Sequence, residues 1–149
     1  MTNPLPTSDA INDKHLTLVQ GVINRLAGNS FALKGWSVTL VSALLALAAR
    51  DADTRLVAVA LLPALTFWGL DGYFLAQERL FRGLYDKLID PGRQIPAFSM
   101  RTEKFTAALW SNATFSLTLV PFHGTVVAAI LGVLAYVGTG QVPPSTAGP

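Results

Sequence analysis

The sequence contains no cysteine and few charged residues. Only 13% of its 149 residues are charged and 51% are hydrophobic, whereas soluble globular domains carry about 25% charged residues. The absence of cysteine excludes a disulfide scaffold, a thiolate metal site and a cysteine nucleophile. A formal net charge of +2 is too small to indicate nucleic-acid binding. This composition is typical of an all-α integral membrane protein.

Residues that could support catalysis are sparse as well. Neither His15 nor His123 has a carboxylate or a second histidine at metal-ligand spacing. Gly-x-Gly occurs only at Gly138 and Gly140, without the strand and following helix that a phosphate-binding loop needs. We therefore expect no enzyme activity, no metal ion and no cofactor.

The first half of the chain predicts a leader, an amphipathic helix and a membrane span. Residues 1–9 hold two prolines and small polar residues and are expected to be a disordered leader. Residues 10–30 carry apolar residues at helical spacing but too many polar groups to span a bilayer. Residues 31–49 contain one charge, Lys34. As a helix they cover about 28 Å, close to the hydrocarbon thickness.

A short polar turn returns the chain to the membrane. Residues 50–55 form this turn, and residues 56–75 form a second span with one charge, Asp71. The helical pattern continues past the membrane until Asp90, which precedes a proline and a glycine. Residues 10–90 thus predict a tight antiparallel two-span hairpin with cytoplasmic helical extensions.

The remainder of the chain predicts a polar connector and a third apolar segment. The connector covers residues 91–104, and no charged residue follows Lys104. Residues 105–138 would form a helix about 51 Å long, more than a bilayer needs. Residues 139–149, rich in proline, glycine and serine, are expected to be a disordered tail.

Proline at position 121 divides this third apolar segment. We expect an interfacial helix over residues 105–115 and a third span over residues 117–137. The alternative is a re-entrant pair of half-helices broken at Pro121.

The distribution of basic residues predicts the topology. With three spans, Arg50 and Arg55 lie on one side of the membrane. The larger set lies on the other: Lys14, Arg25, Lys34, Arg79, Arg82, Lys87, Arg93, Arg101 and Lys104. Because lysine and arginine accumulate in cytoplasmic loops, the N-terminus is predicted to be cytoplasmic in a bacterial inner membrane.

Lys34 and Asp71 are equidistant in sequence from the centre of the turn, so a tight hairpin places them at the same depth. Trp36, Trp68 and Tyr73 lie nearby as candidate anchors at the membrane interface. We predict an ion pair between Lys34 and Asp71, direct or bridged by water, because an unpaired charge in the membrane is costly. It would serve as a clasp that fixes the hairpin register or, alternatively, as a gate.

Polar residues around the third span are candidates for lining a pore. They are Asn112, Thr114, Thr118 and His123, with His123 expected a few turns inside the outer edge of the membrane. The alternative for His123 is a structural role, as a neutral histidine bonded to Thr118 or to a carbonyl freed by Pro121.

Small residues in the last span recur at intervals of four, at Gly124, Ala128 and Gly132. This pattern lets helix backbones approach closely in lipid. It favours self-association into a homo-oligomer, with packing inside the chain or simple lipid exposure as alternatives.

Three sequence stretches resemble a group of small uncharacterised bacterial membrane proteins. They are NSFALKGWS at 29–37, FWGLDGY at 67–73 and QERLFRGLY at 77–85. The layout of residues 10–89 is also similar to the two-helix membrane effector domains of the SLATT type, found with bacterial defence systems. The resemblance implies an oligomer that permeabilises the inner membrane when a partner signals.

Together these observations predict a homo-oligomeric pore-like or channel-like module in the lipid bilayer, in the role of a defence effector. The alternative is a non-catalytic membrane anchor or scaffold that recruits a soluble cytoplasmic protein through its cytoplasmic helices.

Overall fold

The computed structural model describes residues 8–51, 54–92 and 95–139. Helices account for 83% of these residues, and none of them lies in a strand. The helices in chain order are α1 Ser8–Asp51, α2 Thr54–Val59, α3 Leu61–Ile89, α4 Ala107–Thr114 and α5 Val120–Gly138. Three stretches, Asp9–Arg50, Thr54–Ile89 and Val120–Gly138, are long and apolar enough to cross a membrane.

Helix α1 joins the amphipathic segment and the first apolar segment into one rod of 44 residues, about 66 Å long. It contains no proline, and Asp9 in its first turn and Arg50 in its last complement the helix dipole. Because α1 begins at Ser8, the last two residues of the expected leader are helical. Residues 1–7 lie outside the described part of the chain.

The second apolar segment is interrupted at Ala60, between α2 and α3. Pro63 cannot donate a backbone hydrogen bond to the carbonyl of Val59, and its ring clashes with that carbonyl. The amide of Ala60 instead donates to the Val57 carbonyl at 3.2 Å, and Ala64 donates to Ala60 at 3.4 Å. The single span predicted from the sequence is therefore two helices separated at one residue.

Helices α1 and α3 pack against each other in antiparallel directions. Near the end of α1, Val41 shares an apolar cluster with Ala64. Near its beginning, Val19 and Ile23 cluster with Leu84 from the end of α3. The paired helices thus have two separate apolar cores, one at each end.

Helix α5 runs parallel to α1 against the first of these cores. Ile130 is completely buried in the cluster that contains Val41 and Ala64, whereas His123, two turns earlier, contacts Asp71. The start of α5 is therefore level with Asp71. Its later turns lie beside the ends of α1 and α2.

The connector folds back onto the α1–α3 pair. The ring of His15, which is buried, forms a hydrogen bond of 2.9 Å between Nε2 and the carbonyl of Ser99. Ile95 packs on the apolar cluster near the start of α1. Phe98 has a φ of 60° and places its ring 6.0 Å from that of His15. A left-handed conformation at a phenylalanine requires such support from neighbouring contacts.

Pro121 begins the third apolar helix and does not break it. Helix α4 is capped by Thr106, whose side chain accepts a hydrogen bond of 3.2 Å from the amide of Leu109. Residues 115–119 separate α4 from α5, and Pro121 lies in the first turn of α5. A missing amide is tolerated there because first-turn amides have no partner within the helix. The expectation of a proline-broken span is wrong. Thr139 follows α5 as its C-cap, and residues 140–149 of the predicted tail lie outside the described residues.

Candidate functional site

Four polar side chains from α1, α3 and α5 meet in one hydrogen-bonded group, which we call the polar cluster: Ser30, Lys34, Asp71 and His123. The Lys34 ammonium lies 2.6 Å from Asp71 Oδ2, and His123 Nε2 lies 2.8 Å from the same oxygen. The Ser30 hydroxyl donates to Asp71 Oδ1 and accepts a bond of 2.8 Å from Lys34. The carboxylate of Asp71 on α3 thus accepts hydrogen bonds from side chains on α1 and α5.

Burial makes this cluster the most costly polar feature among the described residues. Asp71 is fully buried, His123 is 1% exposed and the Lys34 side chain is 23% exposed. An ion removed from water needs both a counter-ion and hydrogen bonds. Asp71 has both, while Lys34 keeps part of its side chain at the surface. Lys34 therefore lies between the buried carboxylate of Asp71 and the surface of the chain.

His123 donates to Asp71 through Nε2, because a carboxylate can only accept. In the sequence His123 has no carboxylate at metal-ligand spacing, and the structural alternative gave it a bond to Thr118 or to a carbonyl freed by Pro121. Its partner in the structure is Asp71, so that alternative bond is wrong. Helix α5 runs parallel to α1 and begins level with Asp71, and Pro121 in its first turn frees no carbonyl. Counting from the turn pairs only the two helices of the hairpin, so it could not reveal a partner for Asp71 on α5.

Trp68 and α4 hold the imidazole in place. The Trp68 ring stacks on His123, with centroids 5.9 Å apart and planes at 8°. Its indole N–H donates to the Thr114 carbonyl at 2.9 Å. Gly72 allows Thr114 to approach α3, since a Cβ at Gly72 would lie 2.9 Å from the Thr114 Cβ. Trp110 adds a bond of 3.0 Å from its N–H to the Gly69 carbonyl.

The three candidate interface anchors have different surroundings. Trp36 is 61% exposed and Tyr73 is 41% exposed, as an interfacial side chain requires. The Tyr73 ring also packs against Phe105 at 5.4 Å. The polar end of Trp68 is instead bonded within the chain. The N–H of Trp68 is therefore occupied within the chain, whereas the Trp36 and Tyr73 side chains are exposed.

Three buried side-chain atoms have no hydrogen-bond partner in the described part of the chain: His123 Nδ1, Ser37 Oγ and Ser116 Oγ. Ser37 is fully buried and follows Lys34 by one turn. Ser30 and Ser37 were not among the site residues predicted from the sequence. Their spacing of four and three residues from Lys34, which places all three on one helix face, is the signal that could have found them.

The four candidate pore-lining residues do not share a surface. Asn112 and Thr118 are exposed. Thr114 is buried against Gly72, and His123 is buried in the polar cluster. Buried side chains cannot line a path between subunits in this conformation. Of the four candidates, Asn112 and Thr118 are the two that are exposed in this conformation.

The small residues of α5 face away from the rest of the described chain. Ala128 and Gly132 are exposed, and a Cβ built on Gly124 or Gly132 would meet no atom within 4 Å. The packed face of α5 carries His123 and Ile130 instead. Packing inside the chain, one alternative for this stripe, is therefore not what these residues do. The stripe is open to lipid or to another copy.

Comparisons with protein-family models, with curated proteins and with solved structures found no match. The functional interpretation therefore depends on the geometry of the side chains. That geometry is a group of one lysine, one carboxylate and one imidazole that links three membrane-length helices at a single level.

Proposed function

We propose that the chain is a self-associating bacterial inner-membrane protein whose polar cluster gates a pore-like path. In this arrangement the spans are residues 31–49, residues 56–75 and α5. The contact of His123 with Asp71 and the common cluster of Ile130 and Val41 support three spans in register. With 19 residues, α5 is about 28 Å long, the thickness of the hydrocarbon core.

The orientation is that of the positive-inside rule. The cytoplasmic side receives the start of α1, the end of α3 and the connector, and the turn between α1 and α2 lies outside. Basic residues support this side: Lys14, Arg25, Arg79, Arg82, Lys87, Arg101 and Lys104. The first two spans then form the tight hairpin with cytoplasmic extensions.

Outward-facing small residues support the homo-oligomeric state. The stripe of Gly124, Ala128 and Gly132 on α5 is open. On α1, Gly35 lies within the first span, and a Cβ there would also meet nothing within 4 Å. Such surfaces allow close helix contacts in a membrane, where packing and not hydrophobicity drives association.

The polar cluster is the observation that carries the gating proposal. It couples all three spans through one carboxylate, Asp71. Beyond it lies the apolar core that contains Val41, Ala64 and Ile130, and an apolar constriction excludes ions by remaining dry. The described conformation is thus a closed one. Separation of the helices at the cluster would open it.

The resemblance to SLATT-type domains supports the effector role within this proposal. A partner that acted on the cytoplasmic helices would be mechanically coupled to the cluster, because α1 continues without a break from Ser8 through Lys34. Permeabilisation in response to such a signal is the biological activity that we propose.

The test is single-channel recording in planar bilayers, together with the oligomer mass in detergent. Asp71→Asn removes the anion and is expected to produce conductance at voltages at which the wild type is silent. Glu78→Gln is the matched control, because Glu78 pairs with Arg82 on its own helix and joins no two spans. A stable oligomer in which neither wild type nor Asp71→Asn conducts would refute the gate.

The second candidate, a membrane anchor for a soluble protein, is favoured by the arm beyond the spans. Residues 8–30 of α1 extend about 34 Å past the first span and are packed on α3 through Val19, Ile23 and Leu84. A groove of about 390 Å³ follows this arm, lined by Leu16, Thr17, Gln20, Gly21, Asn24 and Tyr85. A pore alone does not require an arm of this kind.

Site-specific photo-crosslinking in cells separates the two functions. A probe at Thr39, exposed on the first span, should link copies of the chain if the protein forms a pore. A probe at Gln20, in the groove, should link one defined soluble protein if the chain is an anchor. Crosslinks from Gln20 to one soluble protein, together with no measurable conductance in bilayers, would favour the anchor function over the pore function.

A further inference from the structure

A crevice between α3 and α4 has one uncompensated cation on its wall. Its volume is about 150 Å³, and its lining residues are Arg79, Leu80, Gly83, Lys87, Glu103 and Leu109. Lys87 and Glu103 neutralise each other at 2.5 Å. Arg79 is exposed and has no ion pair within the described ranges. The guanidinium of Arg79 is therefore available to a ligand.

Arg82, the next arginine along α3, differs from Arg79 because its guanidinium already has a partner. Arg82 donates two hydrogen bonds to Glu78, of 2.8 and 2.6 Å, so its guanidinium is occupied. Arg79 and the Lys87–Glu103 pair leave the crevice with a net charge of +1. Its apolar wall is formed by Leu80 and Leu109.

The depth of Arg79 places it at the headgroups of the bilayer. If the second span ends near Leu75, Arg79 follows by four residues, or about 6 Å along the helix axis. Helix α4, which forms the other wall, is fastened to α3 by the bond from Trp110 to Gly69. After α4, the Leu117 side chain is 94% exposed, as expected for a residue immersed in lipid. The crevice therefore opens where lipid phosphates lie.

We propose that this crevice binds the phosphate of an anionic phospholipid of the cytoplasmic leaflet. The Arg79 guanidinium donates two parallel hydrogen bonds to phosphate oxygens, a geometry that suits arginine. Leu80 and Leu109 contact the glycerol and the first acyl carbons. A lipid without a headgroup cation is preferred, because the crevice has a surplus of positive charge. This inference rests on the three-span arrangement proposed above.

The experiment uses the full-length protein in an uncharged detergent. Its thermal unfolding is measured while phosphatidylglycerol, phosphatidylcholine or inorganic phosphate is added. Phosphatidylglycerol is expected to raise the midpoint in a saturable way, and the other two are not. Arg79→Gln should raise the apparent dissociation constant for phosphatidylglycerol about tenfold, the value of one charge-assisted contact.

Lys14→Gln is the matched control. Lys14 is exposed on α1 but lies about 25 Å beyond the end of the first span, outside the headgroup layer. This variant should bind phosphatidylglycerol as the wild type does.

Two outcomes would overturn the proposal. If inorganic phosphate stabilised the protein equally, the ligand would be a soluble phosphate and not a lipid. If Arg79→Gln and Lys14→Gln responded alike, the effect would be a general attraction to anionic surfaces. Protein that remained in the soluble fraction after cell lysis would instead refute the three-span arrangement itself.

Discussion

Asp71→Asn should destabilise the three-helix packing more than any other single change in the polar cluster. The carboxylate is fully buried and accepts from Lys34, Ser30 and His123. Removing one partner of a buried ion pair costs about 3–5 kcal/mol, because the other charge is left uncompensated. The amide oxygen of asparagine can still accept hydrogen bonds, but its NH2 group replaces the second acceptor oxygen. We therefore expect a loss of about 3 kcal/mol in the free energy of unfolding.

The pairing itself is measured by a double-mutant cycle with Lys34→Met. Each single variant leaves one ion of the pair without its counter-ion, whereas the double variant removes both ions. The double variant should thus be more stable than the sum of the single changes predicts, by about 2 kcal/mol. Unfolding by sodium dodecyl sulfate in mixed micelles, followed by tryptophan fluorescence, is a suitable assay because Trp68 stacks on His123.

Additivity of the two single effects within about 0.5 kcal/mol would refute the reasoning. Charge reversal, with Lys34→Asp and Asp71→Lys in one chain, provides a second check. It should recover only part of the stability lost in either single change, because the new lysine at position 71 would face His123. Full recovery would mean that the contact with His123 contributes nothing.

The remaining predictions concern packing, capping and association. Gly72→Ala should cost about 1–3 kcal/mol in the same unfolding assay, because the new Cβ meets the Thr114 backbone at 3.0 Å. Gly83→Ala, where a Cβ meets nothing within 4 Å, should be neutral or stabilising. Thr106→Ala removes the cap of α4 and should cost about 1 kcal/mol. Gly132→Ile should lower the oligomer mass in detergent light scattering without changing the far-ultraviolet circular dichroism, and an unchanged mass would exclude this stripe as the contact.

The amino-acid sequence by itself determines the all-helical architecture, the three apolar helices and the level of two charges. Apolar runs of membrane length depend only on local composition. In an antiparallel hairpin, distance from the turn translates directly into depth, because every residue advances a helix by the same rise. Lys34 and Asp71 could therefore be paired by counting. Pro63 alone could also have predicted the break at Ala60, because a proline interrupts a helix one turn before it.

The place of His123 in the cluster was decided by tertiary structure alone. The position of His123 depends on where α5 begins and which way it runs. These features depend on the fit of Thr114 against Gly72 and on the hydrogen bond from Trp68 to the Thr114 carbonyl. Such contacts join residues about 40 positions apart and have no periodicity. The sequence thus specifies which segments are helical and apolar, whereas shape complementarity between α3 and α4 brings the imidazole to the carboxylate.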